Sequence, residues 1–99
     1  MVNKCVVCAE GEAAFKLREM ARLACAGDIS VAIHSVLFRS LFPNGKWDGN
    51  ELDLLLERRG AVWFSLSGEA YARFRAIGDL RGVRDNDDLF SRLVHEQIA

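Results

Sequence analysis

The chain has 99 residues, of which 51% are hydrophobic and 27% charged, with a single proline and eight glycines. This composition excludes a disordered, collagen-like or low-complexity chain. The formal net charge of −1 argues against bulk electrostatic binding to nucleic acid or anionic membrane, since that needs clustered, uncompensated Lys and Arg. We expect one compact domain over residues 1–99, whose small core would gain from dimerisation.

The apolar run at Cys5–Ala9 stops at Glu10, short of the apolar stretch of a secretory signal, so we expect a cytoplasmic protein. The longest apolar stretch, Ile29–Phe42, is interrupted by polar residues and is shorter than the ~20 residues that cross a bilayer. Three cysteines in a chain without an export signal suit reduced thiols. We therefore expect no disulfide.

The first part of the chain predicts a strand and two helices. Val2–Ala9 is rich in Val and Cys without a helical period and predicts a short strand, with a backward extension of the next helix as the alternative. Glu12–Ala26 has the spacing of an amphipathic helix. A second helix, capped by Asp28 or Ser30, runs to about Leu41. It is apolar around most of its circumference, which predicts a central helix or half of an interface.

The middle of the chain predicts a turn and a third helix. Pro43-Asn44-Gly45 favours a turn, because Pro restricts the preceding residue and Asn-Gly readily takes positive φ. Asp48 with Glu51 three residues later makes a capping box, and Gly60 is a typical C-terminal cap. We expect a leucine-rich helix between them.

The remaining chain predicts a strand and two helices. Ala61–Leu66 alternates in polarity like a strand and could pair with the first strand. One helix runs from Ser67 to Gly78, and the last begins near Asp85 or Asn86. The predicted fold is a mainly helical α+β domain with about five helices and one or two short strands, in the order β-α-α-α-β-α-α.

Cys5 and Cys8 could in principle chelate a metal or exchange a disulfide. A zinc site would also need Cys25 with His34 or His95, and no second closely spaced ligand pair is present. On a strand, moreover, Cys5 and Cys8 would face opposite sides. We favour buried structural thiols without bound zinc, and keep a zinc or redox role as a third possibility.

No motif in the sequence indicates catalysis. Ser65 and Ser67 lack the glycine two residues before a nucleophile-elbow serine, and no phosphate loop, dinucleotide fingerprint or zinc-protease motif is present. Asp85, Asp87 and Asp88 suit a helix start better than a calcium loop. We predict a non-enzymatic protein with no cofactor and no metal.

Arginines alternate with apolar residues late in the sequence, and Arg58 and Arg59 precede them. The planar guanidinium suits a carboxylate-bearing protein or a phosphate. The alternative is a solvated helix face balanced by nearby carboxylates. The arginines in this group are Arg73, Arg75, Arg81 and Arg84.

One segment resembles a known family. Leu54–Val62 followed by Phe64–Ala70 resembles the helix, strand and closing helix of MarR-type winged-helix regulators, in which a leucine-rich helix ends at Arg-Gly and a strand leads into a Leu-Thr/Ser capped helix. The resemblance covers a small part of the chain, and the two-stranded wing of that family is replaced by one predicted strand after Gly60. It implies, as the alternative function, a small DNA-binding transcriptional regulator using the arginines.

The leading prediction is a protein–protein interaction module, because aromatic and apolar residues are abundant for so short a chain. Small bacterial or phage proteins of mobile genetic elements that inhibit or modulate a larger complex have this character. The expected interaction surface comprises Trp47, Trp63, Arg73, Arg75, Arg81 and Arg84. We also predict a homodimer, with Trp63 or the region of Ile33, Val36 and Leu37 at its interface.

Overall fold

The computed structural model describes residues 4–98, which form four helices and a three-stranded sheet. The predicted α+β, mainly helical class is confirmed, although one predicted helix is replaced by a strand. Val2 and Asn3 of the first predicted strand lie outside the described residues. The elements are β1 (Lys4–Ala9), α1 (Gly11–Ala24), α2 (Ile29–Leu41), β2 (Leu52–Arg58), β3 (Ala61–Ser67), α3 (Gly68–Arg81) and α4 (Asn86–Gln97).

The sheet is antiparallel with the strand order β1-β3-β2, so the predicted pairing of the first strand with the 61–66 strand is confirmed. Val7 lies opposite Phe64, and both are fully buried. Their face of the sheet packs on the helices in one core, since side chains alternate between the two faces of a strand. The helical part of this core includes Leu17, Ile33, Leu37, Phe74, Phe90 and Leu93.

Two helix starts follow the sequence prediction. The side chain of Asp28 accepts hydrogen bonds from the N–H groups of Ser30 and Val31 at 3.0 and 3.4 Å. Asp85 accepts in the same way from Asp87 N–H at 2.8 Å at the start of α4. These carboxylates satisfy N–H groups that have no partner inside the helix.

The predicted helix from Asp48 to Gly60 is wrong, because β2 occupies most of this segment. Arg59 and Gly60 have φ of 50° and 83° and connect β2 to β3. Positive φ at both central residues is the signature of a tight two-residue hairpin turn. Gly60 therefore supplies positive φ to a hairpin instead of to a helix end, and pairing along β3 overrides the helical propensity of the leucines.

Glu51 does not form the predicted capping box but begins another helix. Its carboxylate accepts hydrogen bonds from the N–H groups of Glu69 and Ala70 in the first turn of α3, at 2.7 and 3.1 Å. The indole of Trp47 also donates to it at 3.3 Å. Ser67, the predicted cap of this helix, makes no side-chain capping bond. The N-terminus of α3 is thus capped by Glu51, which lies 18 positions before Glu69 in sequence.

No single helix within residues 4–98 is long and apolar enough to cross a membrane. Helices α1 and α2 reach that length and hydropathy only together, and the bend between them is 105°.

Candidate interaction surface

Arg73 is held against its own domain. Its guanidinium donates to the carbonyl oxygen of Leu41 at 2.9 Å and to the carboxylate of Glu69 at 3.0 Å. It also lies over the ring of Phe42, 4.3 Å from the centroid, in a cation–π contact. Much of its bonding capacity is therefore used inside the chain.

Arg75 is the centre of a hydrogen-bond network that shapes the connection between α3 and α4. Its guanidinium donates to the side chains of Asn86 and Asp79, at 2.7 and 3.1 Å. It also donates to the carbonyl oxygens of Val83 and Arg84, at 3.1 and 3.3 Å. The planar guanidinium thus bonds to two carbonyl oxygens of the loop and to one side chain in each flanking helix, so it holds α3, the loop and α4 together.

The other two arginines of the predicted surface differ from each other. Arg81 forms a two-point ion pair with Glu96, which joins α3 to α4, with the longer hydrogen bond at 2.9 Å. The side chain of Arg84 is exposed and makes no hydrogen bond or ion pair with any residue in the range 4–98. The four arginines therefore do not form one basic patch.

The two tryptophans have different environments. Trp47 stacks on the imidazole of His34, with ring centroids 4.7 Å apart, and on Phe42 at 5.2 Å. It covers part of α2 and is a packing residue. Trp63 is half-buried on the face of the sheet that points away from the core, opposite Cys8 and Leu56. We call this the outer face.

Ile33, Val36 and Leu37, the predicted dimer interface on α2, are 0 to 1% exposed. Their side chains pack in the core of a single chain. A second copy could not touch these three side chains while this fold is intact, whereas Val31 of the same helix is 46% exposed.

A cleft of about 250 Å³ lies beside His34, lined also by Ser30, Asp48 and Leu52. Among the described residues, no hydrogen bond joins His34 to Ser30 or Asp48, and the Asp48 carboxylate instead accepts from Asn50. A nucleophile needs a base within hydrogen-bond reach. The described residues of this cleft therefore do not form a pair of nucleophile and base.

The cysteines are free and half-buried. Cys5 lies opposite Leu66 and Cys8 opposite Trp63, so the two thiols face opposite sides of the sheet, as the sequence predicted. Within residues 4–98, no group of three or more His, Cys, Asp or Glu side chains could hold a metal ion.

Burial raises the pKa of the Cys5 thiol, although a hydrogen bond with the Leu66 backbone and the charge of Arg75 oppose this effect. Burial also raises the pKa of Cys8, and neighbouring carboxylates, chiefly Asp87, add to the shift. The thiolate is the form that attacks disulfides and binds metals. Both sites disfavour it.

These shifts predict a loss of stability at alkaline pH. The unfolded chain releases its thiol protons at a lower pH than the folded chain. The stability that the protonated thiols contribute to the fold is therefore complete below about pH 8.5 and falls as pH rises further. Urea unfolding at neutral and alkaline pH should show this decline, and it should be shallower in the double variant Cys5→Ala/Cys8→Ala. An equal decline in both proteins would contradict the assignment.

The largest group of consecutive exposed apolar side chains lies on β2. Leu54, Leu55 and Leu56 are 37, 47 and 48% exposed. Among the strands of residues 4–98, β2 pairs only with β3, so its other backbone edge has no strand beside it. We call this side of Leu52–Arg58, with its three leucines, the β2 edge. The sequence prediction missed it because the leucines were assigned to a helix.

The opposite edge of the sheet is covered at one position. The N–H of Cys8 on β1 donates to the carboxylate of Asp87, at the start of α4, at 2.8 Å. This bond prevents another strand from pairing at Cys8. The two edges of the sheet therefore differ: a side chain from another element bonds to the backbone of β1 but not to that of β2 in the described part of the chain.

None of the protein-family models, curated proteins or solved structures compared with the chain matches it.

Proposed function

We propose that the chain is a small, non-enzymatic protein–protein interaction module that binds through the β2 edge. The observation that carries this proposal is the run of three exposed leucines on a strand whose outer edge is unpaired. Unpaired backbone groups next to apolar side chains can form both hydrogen bonds and an apolar contact with another strand.

The contrast between the two sheet edges supports this assignment. The carboxylate of Asp87 accepts from an outward N–H on β1. On β2 the outward N–H of Leu52 bonds to Gly49 where the strand begins, and no strand in the described part of the chain pairs with the rest of this edge. Long, apolar edges are a liability that proteins normally protect. The exposed leucines of β2 beside an edge that has no strand paired with it fit a binding surface, as an inhibitor or modulator of a larger complex would need. A cytoplasmic location remains part of the proposal.

A DNA-binding regulator remains the second candidate, and one observation favours it. Helices α1 and α2 differ in direction by 105° across a short connection containing Gly27. Two helices at about 90 to 120° joined by a short, glycine-containing turn are typical of a helix-turn-helix. The β2–β3 hairpin adds Arg58 and Arg59 near its exposed tip.

The surface of α2 argues for ranking this candidate second. A recognition helix contacts bases with its N-terminal residues, and here the Asp28 carboxylate caps that end. Trp47 stacks on His34 and covers part of the helix. A carboxylate at the entry point repels phosphates, so α2 is poorly suited to a DNA groove.

Site-specific photocrosslinking tests both candidates. A photoactivatable side chain at Leu55, in cells expressing the chain, should give a protein adduct that is much weaker with the same probe at Leu80. Leu80 is a suitable control because it is 88% exposed but lies on α3. Equal protein adducts at the two positions, or none at Leu55, would refute the proposal. A nuclease-sensitive adduct at Leu55 would instead support the DNA-binding candidate.

A further inference from the structure

We propose that the β2 edge binds the β2 edge of a second copy, forming an antiparallel, two-fold symmetric dimer with a continuous six-stranded sheet. This inference rests on the proposed function, because it names the occupant of the same edge. It replaces the α2 interface expected from the sequence. Three features of β2 lead to it: the direction of its backbone groups, a bulge, and the positions of two charges.

The backbone of β2 presents hydrogen-bonding groups to the outside. Ser67 N–H donates to the carbonyl oxygen of Glu51 at 3.0 Å, in register with the β2–β3 ladder. Hydrogen-bonded and non-hydrogen-bonded positions alternate along an antiparallel pair. Leu54 therefore directs its N–H and C=O groups away from β3, where a second strand can reach them. The outward N–H of Leu52 already donates to the carbonyl oxygen of Gly49, at 3.0 Å.

A bulge places two opposite charges on one face. Leu54 lies opposite Phe64, but Leu56 lies opposite Trp63, so Leu55 is an extra residue in β2. Residues five apart on a regular strand face opposite sides. The extra residue reverses this relation for Asp53 and Arg58, and both belong to the outer face. Neither side chain makes a hydrogen bond or ion pair with residues in the range 4–98.

Symmetry then selects the register. A two-fold axis perpendicular to a sheet preserves its faces, so residues directly opposite each other must belong to the same face. Pairing Asp53 with Arg58 of the second copy satisfies this rule. Symmetry then also pairs Arg58 with Asp53 of the second copy, on the other side of the axis. Leu55 and Leu56 then lie at the centre of the contact. A register centred on Asp53 or on Glu57 would instead oppose two like charges.

The energetics favour a weak dimer. A single strand pair buries less surface than a standard interface, so we expect a dissociation constant in the micromolar range. Burial of the three leucines and two pairs of cross-strand charges provide the attraction. The bulge limits the regular hydrogen bonding between the strands, so the charges contribute strongly to the choice of register.

A charge-reversal mixing experiment tests this register. Sedimentation of the full chain from about 1 µM to 1 mM should show a monomer–dimer equilibrium. Asp53→Arg alone opposes Arg58 of the second copy, and Arg58→Asp alone opposes Asp53, so each should weaken self-association about tenfold or more. An equimolar mixture should associate about as tightly as the unaltered chain. Only a contact between copies can restore binding in this way.

Glu12→Arg and Arg84→Asp provide matched controls, because both residues are exposed and lie outside β2. Each should dimerise like the unaltered chain. A separate backbone readout avoids substitutions altogether: hydrogen exchange at the Leu54 amide should slow as the concentration of the unaltered chain rises. A monomer at the highest concentration, a mixture that fails to associate, or an exchange rate independent of concentration would each overturn the inference.

The two proposals fail differently. A protein adduct at Leu55 that contains another protein, together with a purified chain that stays monomeric, would refute the dimer and leave the interaction module standing. Absence of a protein adduct at Leu55 together with a monomeric chain would refute both.

Discussion

Replacing Arg75 by alanine should lower the free energy of unfolding by about 3 kcal/mol, because a hydrogen bond to a charged group contributes roughly 1.5 to 3 kcal/mol. The change removes the donors for Asn86, Asp79 and two loop carbonyl oxygens. Two of these four bonds, to Arg84 and Asp79, are exposed to water, so the loss is less than the sum of four bonds. Urea unfolding followed by circular dichroism measures the effect.

Two matched variants separate this explanation from a general effect of charge. Arg84→Ala removes an exposed arginine nearby and should change stability by no more than about 0.5 kcal/mol. Arg75→Lys should recover only part of the loss, since an ammonium cannot reproduce the planar fork of a guanidinium. Equal losses in Arg75→Ala and Arg84→Ala would show that the network is not stabilising.

The second large effect is expected at Gly68, where α3 begins. Its φ is +59°, and an added Cβ would lie 1.9 Å from a carboxylate oxygen of Glu51. Gly68→Ala should therefore both strain the backbone and displace the carboxylate from the N–H groups of Glu69 and Ala70. We expect a loss of about 3 kcal/mol in the free energy of unfolding.

A double-mutant cycle distinguishes these two costs. In a chain that already carries Glu51→Ala, the carboxylate is absent, and Gly68→Ala should cost only the strain of positive φ, about 1 to 2 kcal/mol. Thermal or urea unfolding of the four proteins gives the coupling. Additive effects of the two substitutions would contradict the proposed clash.

Local signals in the sequence were sufficient for most helices. Asp28 and Asp85 each precede an apolar helical pattern and do cap the helices that follow. The alternation in Ala61–Leu66 was likewise sufficient to predict a strand and its pairing with β1. In these segments the local preference and the tertiary structure agree.

The β2 segment could not be predicted in the same way. A capping box, a run of leucines and a following glycine favour a helix locally. The alternation that should mark a strand is broken by the extra residue Leu55 in the bulge. The Glu51 carboxylate accepts from the Glu69 N–H in α3, 18 residues later in sequence. This distant contact takes the place of the local capping box. No short-range pattern reports such a contact.

The candidate surface shows the same limitation. Arg73, Arg75 and Arg81 resemble a basic group in the sequence, but each is bonded inside the chain, to partners in α3 itself, in other elements or in the following loop. Whether an arginine faces a ligand or a carbonyl oxygen of its own chain depends on tertiary distances. Composition suggested an apolar binding surface but not its position.

The contact between Cys8 and Asp87 has a consequence for biosynthesis. The two residues are separated by 79 positions in sequence. β1 therefore leaves the ribosome long before Asp87, whose carboxylate bonds to its edge. Until α4 docks, a nascent chain that has already paired β1 with β3 exposes both edge strands of its sheet. Partly folded chains with unpaired strand edges are prone to aggregate. The interval between the pairing of β1 with β3 and the docking of α4 is thus the period of greatest risk.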